Sequence, residues 1–368
     1  MGRRSHIHAL FVCLPIALAA GLAEAADPPR LVLEETYGPW EPGYAEGPIE
    51  EARFNRPQGM DAAPNVTLYI ADTFNHCLRA LDLTDRTVST LLGVCGEAGR
   101  EAPAEDAIDR DDVRMRYPTD VAWDARRGVV YVADAGNGRV LALSDSGVTE
   151  ITGQPGDEPG KSETLVEPMG LGVDENSRLF IADRGAHAVY EYVSDGVLTR
   201  VAGGVGAGYD SKLREARQAR FDAPHDVTVL AYSASRAAVF VADTDNGLIR
   251  WLQPGSVAPW LVSNYAGSDA PAVWRDAPGA AQLYRFDRPY RLLVAGPASA
   301  PVLYIAEPAK KRLIGVTAER RLFIAAGDGA PTEAADMGAP HAIAATSSRV
   351  VYVFDDRDRL LKFSIQSE

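Results

Sequence analysis

Short runs of apolar residues recur at regular intervals along the chain, and each run ends in a carboxylate. A proline lies 15 to 19 residues upstream of each acid, and successive prolines are 50 to 65 residues apart. Self-similarity at a period in this range is typical of β-propellers. The runs read LYIAD, VYVAD, LFIAD, VFVAD, LYIAE and VYVFD, and they end at Asp72, Asp134, Asp183, Asp243, Glu307 and Asp355.

Each copy of this pattern predicts four strands. The first strand follows the proline, the second is the apolar run, the third follows a tight turn, and the fourth is short and tends to end in glycine. β-branched and aromatic residues dominate these runs, and no segment has a long helical period. The sixth copy ends without its fourth strand, whereas LVLEETYG at 31–38 precedes the first complete copy. We therefore predict an all-β, six-bladed β-propeller whose N-terminal strand closes the last blade and protects its edge.

The first 25 residues have a different character from the rest. Arg3 and Arg4 precede an apolar run at 9–22, and Ala23-Glu24-Ala25 follows it. This order is typical of a signal peptide cleaved after Ala25; the alternative is an uncleaved membrane anchor, for which the run is short. We predict a signal peptide at 1–25 and a single propeller domain at 26–368. The protein is then periplasmic or secreted, with no membrane span after cleavage.

Charge and cysteine content narrow the choice of partners and compartment. A formal net charge of −14 repels phosphate backbones, which argues against binding to nucleic acids or anionic membranes. Cys77 and Cys95 follow the leader, and export places them where disulfides persist. In a hairpin that turns at 85–87, residue 77 lies opposite about residue 95. We predict a disulfide between them, with two buried free thiols as the alternative.

The phrase RFNRPQGMDAAPNVTLYIADTFNHCLRAL resembles an NHL repeat, a repeat named after an Asn-His-Leu run. AGGVGAGYDS…RFDAPHDV and APGAAQLYRFDRPYRL are similar to linkers of bacterial members, so the resemblance extends over about 31–366. It implies a six-bladed propeller. It does not specify an activity, because the family includes lyases, lactonase relatives, RNA binders and protein-binding modules.

The recurring polar residues are expected to be structural. An acid at a strand end, followed by Asn or Gly, accepts backbone hydrogen bonds in the turn, and its presence in nearly every copy argues against one catalytic constellation. His76 matches the repeat histidine of the family and is expected to be structural too. His187 occupies a turn position and is expected at the surface.

The copies differ most at the position just after each proline. The first strand of a propeller blade lines the central channel, so we expect these six side chains to crowd around one mouth of the channel. They are Gln58, Thr119, Met169, His225, Tyr290 and His341.

His225 and His341 stand in matching phrases, APHDVT and APHAIA. They resemble two of the positions at which peptidyl-α-hydroxyglycine amidating lyases hold zinc, and Tyr290 with Arg288 or Arg56 would then supply the tyrosine and arginine of such a lyase. The third position is Thr119, a poor ligand, whereas catalytic zinc normally has three protein ligands. A divalent metal (zinc or calcium) on the two histidines and plain polar residues at the mouth both remain open.

Long linkers between blades are the other place where recognition is expected, because loops on a rigid frame commonly carry function. Trp274, in the linker 263–285, is a candidate ligand contact; the alternative is that it caps its blade. The sequence thus favours an exported scaffold that binds a protein, peptide or small-molecule ligand at the channel mouth. The alternative is a metal-dependent lyase or hydrolase that uses His225 and His341.

Overall fold

The structure is a computed structural model of the chain. It describes residues 27–38, 41–64, 66–100, 110–152, 164–193, 197–210, 214–233, 236–253, 260–268, 280–330 and 336–366. Trp274 and the expected signal peptide at 1–25 lie outside these ranges. Among the described residues, no helix is long and apolar enough to cross a membrane.

The described strands form six antiparallel sheets, one for each copy of the sequence pattern. Blade 1 contains β3 (Gly59–Ala63), β4 (Thr67–Asp72), β5 (Cys77–Asp82) and β6 (Thr87–Leu92); blade 2 contains β7 (Pro118–Asp124), β8 (Val129–Asp134), β9 (Arg139–Ser144) and β10 (Gly147–Ile151); blade 3 contains β11 (Pro168–Val173), β12 (Leu179–Asp183), β13 (Ala188–Val193) and β14 (Val197–Gly203). Blade 4 contains β16 (Pro224–Ser233), β17 (Arg236–Asp243), β18 (Leu248–Gln253) and β19 (Leu261–Ala266); blade 5 contains β20 (Leu292–Ala295), β21 (Val302–Glu307), β22 (Arg312–Val316) and β23 (Leu322–Gly327). Blade 6 contains β24 (Pro340–Ser347), β25 (Val350–Asp355), β26 (Arg359–Gln366) and β1 (Arg30–Tyr37).

Within the described ranges, helical structure is confined to single 3-10 turns between strands. The described turns are Thr73–Asn75, Arg110–Asp112, Ala135–Asn137, Ala216–Gln218, Ala280–Gln282 and Pro308–Lys310.

The N-terminal strand closes the ring, as the sequence predicts. Strand β1 pairs antiparallel with β26, with Leu31 opposite Ile365 and Tyr37 opposite Leu360. The inner strand of each blade contacts the inner strand of the next, and β24 contacts β3 to complete the circle. The six-bladed propeller is therefore confirmed.

Two blades carry a short fifth strand that the sequence pattern does not predict. β2 (Gly47–Pro48) pairs with β6 on the outside of blade 1, and β15 (Arg214–Glu215) pairs with β19 on the outside of blade 4. Both strands lie in inter-blade linkers. Each has only two residues, which is too few to show the alternation of polar and apolar residues that predicts a strand.

The hydrophobic core consists of six apolar clusters, each packed between two successive blades. Between blades 6 and 1, for example, the Phe54 and Phe354 rings meet edge to face with centroids 5.2 Å apart. Burial of such faces is the main stabilising contribution, and it is shared around the ring rather than concentrated in one centre.

The strand-ending acids are structural, but their principal backbone partners differ from the expectation. In every blade the carboxylate accepts the N–H of the residue two positions before that blade's proline, at 2.6 to 2.9 Å. The acid therefore ties the incoming linker to the second strand, and contacts to the following turn are additional. This bond explains why the sequence repeats a proline and an acid together. The donors are Asn55, Arg116, Val166, Asp222, Asp287 and Gly338.

The predicted disulfide joins Cys77, at the start of β5, to Cys95, three residues beyond β6, with Cα atoms 5.1 Å apart. The alternative of two free thiols is therefore wrong. The bond fixes the beginning of the long linker that leads from blade 1 to blade 2.

Candidate functional site

Most of the variable residues after the prolines occupy β-bulges. In blades 2, 3, 4 and 6 the pairing of the first two strands shifts register between the proline and the second residue after it. The residue between them has no partner in the ladder, and a bulge of this kind re-aims its side chain. The bulged residues are Thr119, Met169, His225 and His341.

A cavity of about 350 Å³ lies at the mouth of the channel. This volume is at the lower end of the range for small-molecule sites. Five of the six variable residues line it, namely Gln58, Thr119, Met169, His225 and Tyr290, together with residues of the turns after the second strands, including Thr73, Phe74, Ala135, Gly136, Arg184 and Thr244.

His225 and Tyr290 lie side by side in the cavity wall. Their rings stack with centroids 3.8 Å apart, and the Tyr290 hydroxyl donates to Gln58 Oε1 at 3.0 Å. His225 is buried, with 4% of its surface exposed, and its Nδ1 has no hydrogen-bond partner. Burial, and then the charges of Arg291, Arg184 and Arg288, hold the pKa of His225 well below its usual range, so the imidazole is neutral near pH 7.

His341 lies beside the same tyrosine but does not line the cavity. Its ring centroid is 6.1 Å from that of Tyr290, in an edge-to-face arrangement. Burial also lowers its pKa. Both histidines therefore contact one tyrosine, while only His225 faces the cavity.

The surroundings of the two histidines do not fit a catalytic zinc ion. A third ligand is required, and Thr119, which stands at that position, donates its hydroxyl to Pro168 O at 3.4 Å. Among the described residues, no group of three or more His, Cys, Asp or Glu is placed to hold a metal.

Directly beneath the mouth, Arg291 crosses the centre of the ring. Its guanidinium donates to the backbone oxygens of Gln58 (2.8 Å), Thr119 (2.5 Å) and Met169 (3.4 Å), which are residues of the mouth itself. It also pairs with Asp120 at 3.2 Å and Asp226 at 3.4 Å. One side chain from blade 5 thus connects blades 1 to 4.

The two acids that pair with Arg291 are themselves held by backbone. Asp120 Oδ2 accepts the N–H of Leu171 at 2.8 Å, and Asp226 Oδ2 accepts that of Leu292 at 2.6 Å. Burial raises the pKa of Asp226 well above its usual range, and Arg291 acts in the opposite direction. All three charged groups are buried and paired, which is the condition under which buried charge is tolerated.

Two glycines provide the space that these acids need. A Cβ atom on Gly59 would lie 2.3 Å from Asp120 Oδ1, and one on Gly170 would lie 2.5 Å from the Cα of Asp226. Sequence reasoning missed this layer because it stopped at the first residue after each proline. The second residues after the six prolines are Gly59, Asp120, Gly170, Asp226, Arg291 and Ala342. The alternation of glycine with aspartate in this series could have indicated the layer.

Two other histidines connect neighbouring blades. His76 Nδ1 accepts the N–H of Tyr117, and His187 Nδ1 accepts that of Ala223, each at 3.1 Å. His76 is structural, as expected. His187 is not a plain surface residue, because its side chain is only 29% exposed and accepts a bond from the linker that enters blade 4.

No protein-family model matches the sequence. The chain is 28% identical to human NHL repeat-containing protein 2 over 254 residues, and 27% identical to the Gallus gallus protein over 250 residues. Each alignment covers 58% of this chain and 33% of the relative, so the chain spans about a third of the length of these relatives. The resemblance to the NHL-repeat propellers is confirmed.

Solved structures share the fold of this propeller at low sequence identity. An auxiliary nutrient binding protein from Bacteroides ovatus aligns with a TM-score of 0.64 and 12% identity, covering 92% of this chain and 77% of that one. A protein of unknown function from Bacteroides thetaiotaomicron aligns with a TM-score of 0.61 and 14% identity, covering 89% of this chain and 73% of that one. At this identity the likeness establishes the fold alone.

Proposed function

We propose that the protein is an exported binding scaffold that holds a small ligand in the cavity at the channel mouth. The observation that carries this proposal is the cavity of about 350 Å³ lined by five of the six residues in which the repeats differ. Repeated residues maintain the blades, whereas variable residues gathered around one cavity are free to serve a ligand.

The floor beneath the cavity supports a binding role. Arg291 bonds to four other blades across the axis, so a ligand would enter and leave by the mouth. A rigid base of this kind favours a preorganised site. The name of the Bacteroides ovatus relative, an auxiliary nutrient binding protein, fits a binding role for this fold.

Export is supported by two features of the sequence and the structure. The leader-like segment at 1–25 precedes the propeller, and Cys77 forms a disulfide with Cys95. Disulfides persist in oxidising compartments such as the periplasm and the extracellular space.

A cavity-filling variant tests the binding role. Thermal-shift screening of the wild-type protein against a library of small metabolites is expected to yield stabilising compounds. In Met169→Trp, an indole placed in the cavity wall is expected to abolish their effect. Val66→Trp is the matched control, because Val66 is exposed and lies in the hairpin at the opposite end of blade 1.

The result is interpretable only if the variant is folded, so its far-UV circular dichroism and melting transition are recorded without ligand. Compounds that stabilise wild type, Met169→Trp and Val66→Trp equally would place their site elsewhere and contradict the proposal.

A further inference from the structure

The cavity at the channel mouth has two chemically different sides. On the side of blades 1 and 2, Phe74 and Tyr117 line the cavity with 41% and 45% of their surface exposed. Their rings meet edge to face at 5.5 Å, and the His76 ring supports Tyr117 at 4.8 Å. Exposed aromatic rings held by neighbours offer a flat apolar surface at low entropic cost.

On the side of blades 3 to 5, two arginines flank His225. Arg184 belongs to the turn of blade 3 and Arg288 precedes the proline of blade 5, and both line the cavity. Arg184 Nε bonds to Glu167 at 2.9 Å, and Arg288 Nη2 pairs with Asp245 at 3.0 Å. Their side chains are 45% and 67% exposed. A guanidinium has five N–H donors, so each retains donors for a ligand.

The charges around His225 reinforce this division. Arg291, Arg184 and Arg288 all act to keep the imidazole unprotonated, after burial itself. Each of these guanidinium groups also pairs with a carboxylate, so this side of the cavity offers a ligand their remaining N–H donors rather than a net positive charge. A carboxylate can accept hydrogen bonds from these donors, whereas a cationic ligand has no acceptor for them.

The backbone holds one residue of each side in an unusual conformation. Tyr117 and Arg288 immediately precede prolines and have φ of 50° and 53°. Left-handed conformations are unfavourable for such residues, and they persist only where the surrounding structure imposes them. The fold therefore fixes the direction in which the side chains of Tyr117 and Arg288 leave the backbone, and Arg56 and Ala223, which also precede blade prolines, share this conformation.

We propose that the cavity takes small carboxylates that carry an aromatic ring, with the carboxylate bound by Arg184 and Arg288 and the ring packed against Tyr117 and Phe74. This assignment rests on the proposed binding role of the cavity. Bidentate recognition of carboxylates is the geometry for which guanidinium groups are suited.

A matched series of probes tests the assignment by isothermal titration calorimetry. The series is 3-phenylpropanoate, its neutral amide 3-phenylpropanamide, the cation 3-phenylpropylamine, and hexanoate, which lacks the ring. We expect 3-phenylpropanoate to bind at least tenfold more tightly than the amide or hexanoate, and the amine not to bind.

Variants assign each part of the probe to its side of the cavity. Arg184→Gln and Arg288→Gln are each expected to weaken 3-phenylpropanoate at least fivefold and to leave the amide unchanged. Tyr117→Ala is expected to weaken both probes. Arg126→Gln, an exposed position in the hairpin at the opposite end of blade 2, is the control and is expected to change neither.

Two outcomes overturn the inference in distinguishable ways. If the amide or the amine binds as tightly as the carboxylate and Met169→Trp blocks it, the ligand class is wrong while the cavity remains a binding site. If no probe binds and no compound of the thermal-shift library is blocked by Met169→Trp, both the ligand class and the binding role are wrong.

Discussion

Two layers of side chains lie at the centre of this propeller, one residue apart in sequence, and they differ in how completely their polar groups are hydrogen-bonded. In the outer layer, formed by the residues directly after the prolines, His225 keeps a buried nitrogen without a partner and Tyr290 makes a single side-chain bond. In the inner layer, formed by the next residues, Arg291 bonds to both acids and to three backbone oxygens. The outer layer thus retains a buried polar atom without a hydrogen-bond partner, whereas nearly all the polar groups of the inner layer are bonded.

The contrast indicates that the inner layer stabilises the ring, whereas the outer layer is available for binding. A fully satisfied polar network fixes one geometry, and a partly unsatisfied polar surface is available to a ligand. The two layers are physically linked, because Arg291 binds the outer layer through the backbone oxygens of Gln58, Thr119 and Met169 and not through their side chains. Changes in the inner layer should therefore affect the whole ring, while changes in the outer layer should remain local.

The largest effect is expected from Arg291→Met, which keeps much of the side-chain volume and removes the charge. Asp120 and Asp226 then lose their buried partner, and loss of one member of a buried ion network destabilises by about 3–5 kcal/mol. Urea unfolding at pH 7.5 measures this. Arg288→Met, at an exposed arginine, should stay within about 0.5 kcal/mol. A loss below about 1 kcal/mol for Arg291→Met would show that the inner layer does not determine stability.

A smaller effect is expected from Gly170→Ala. The new methyl group would lie 2.5 Å from the Cα of Asp226, and overpacking of a close-packed site costs about 1–3 kcal/mol. Gly43→Ala is the matched control, since the nearest atom to its added carbon is 3.7 Å away. Thermal unfolding compares the two variants. Equal melting temperatures would contradict the account of glycine making room for aspartate.

The smallest effect concerns pH and separates His225 from the inner layer. Because the folded-state pKa of His225 is lowered, the unfolded chain binds more protons than the folded one below about pH 6.5. The contribution of His225 to stability is therefore lost as pH falls, by at most about 1.4 kcal/mol per pH unit. Urea unfolding of wild type and His225→Gln at pH 7.5 and 5.0 isolates this contribution. The glutamine variant should lose less stability on acidification, and identical pH dependence in the two proteins would contradict the buried neutral imidazole.

Most of the fold was predictable because its signals are local. LVLEETYG stands before the first complete copy while the sixth copy lacks its fourth strand, and this combination predicted closure of the last blade. The separation of Cys77 and Cys95 across one hairpin predicted their disulfide. The short strands β2 and β15 were not predictable, because two residues in a linker carry no period.

The site was predictable only in part, because its contacts cross the ring. The variable position after each proline is evident from the sequence repeat, and five of the six residues at this position line one cavity in the structure. Arg291 contacts residues up to 233 positions away, which no local pattern reveals. His341 shares its phrase with His225, yet it lies beside Tyr290 and is not among the residues that line the cavity. The contribution of Trp274 stays a prediction, because that residue lies outside the described ranges.

The pairing of β1 with β26 has a consequence for biogenesis. β1 precedes β26 along the chain, so Leu31 has no sheet partner until Ile365 has been synthesised. While the blades between these two strands are being made, the nascent chain thus carries an unpaired strand, which is the kind of edge that chaperones shield and that other nascent chains can capture.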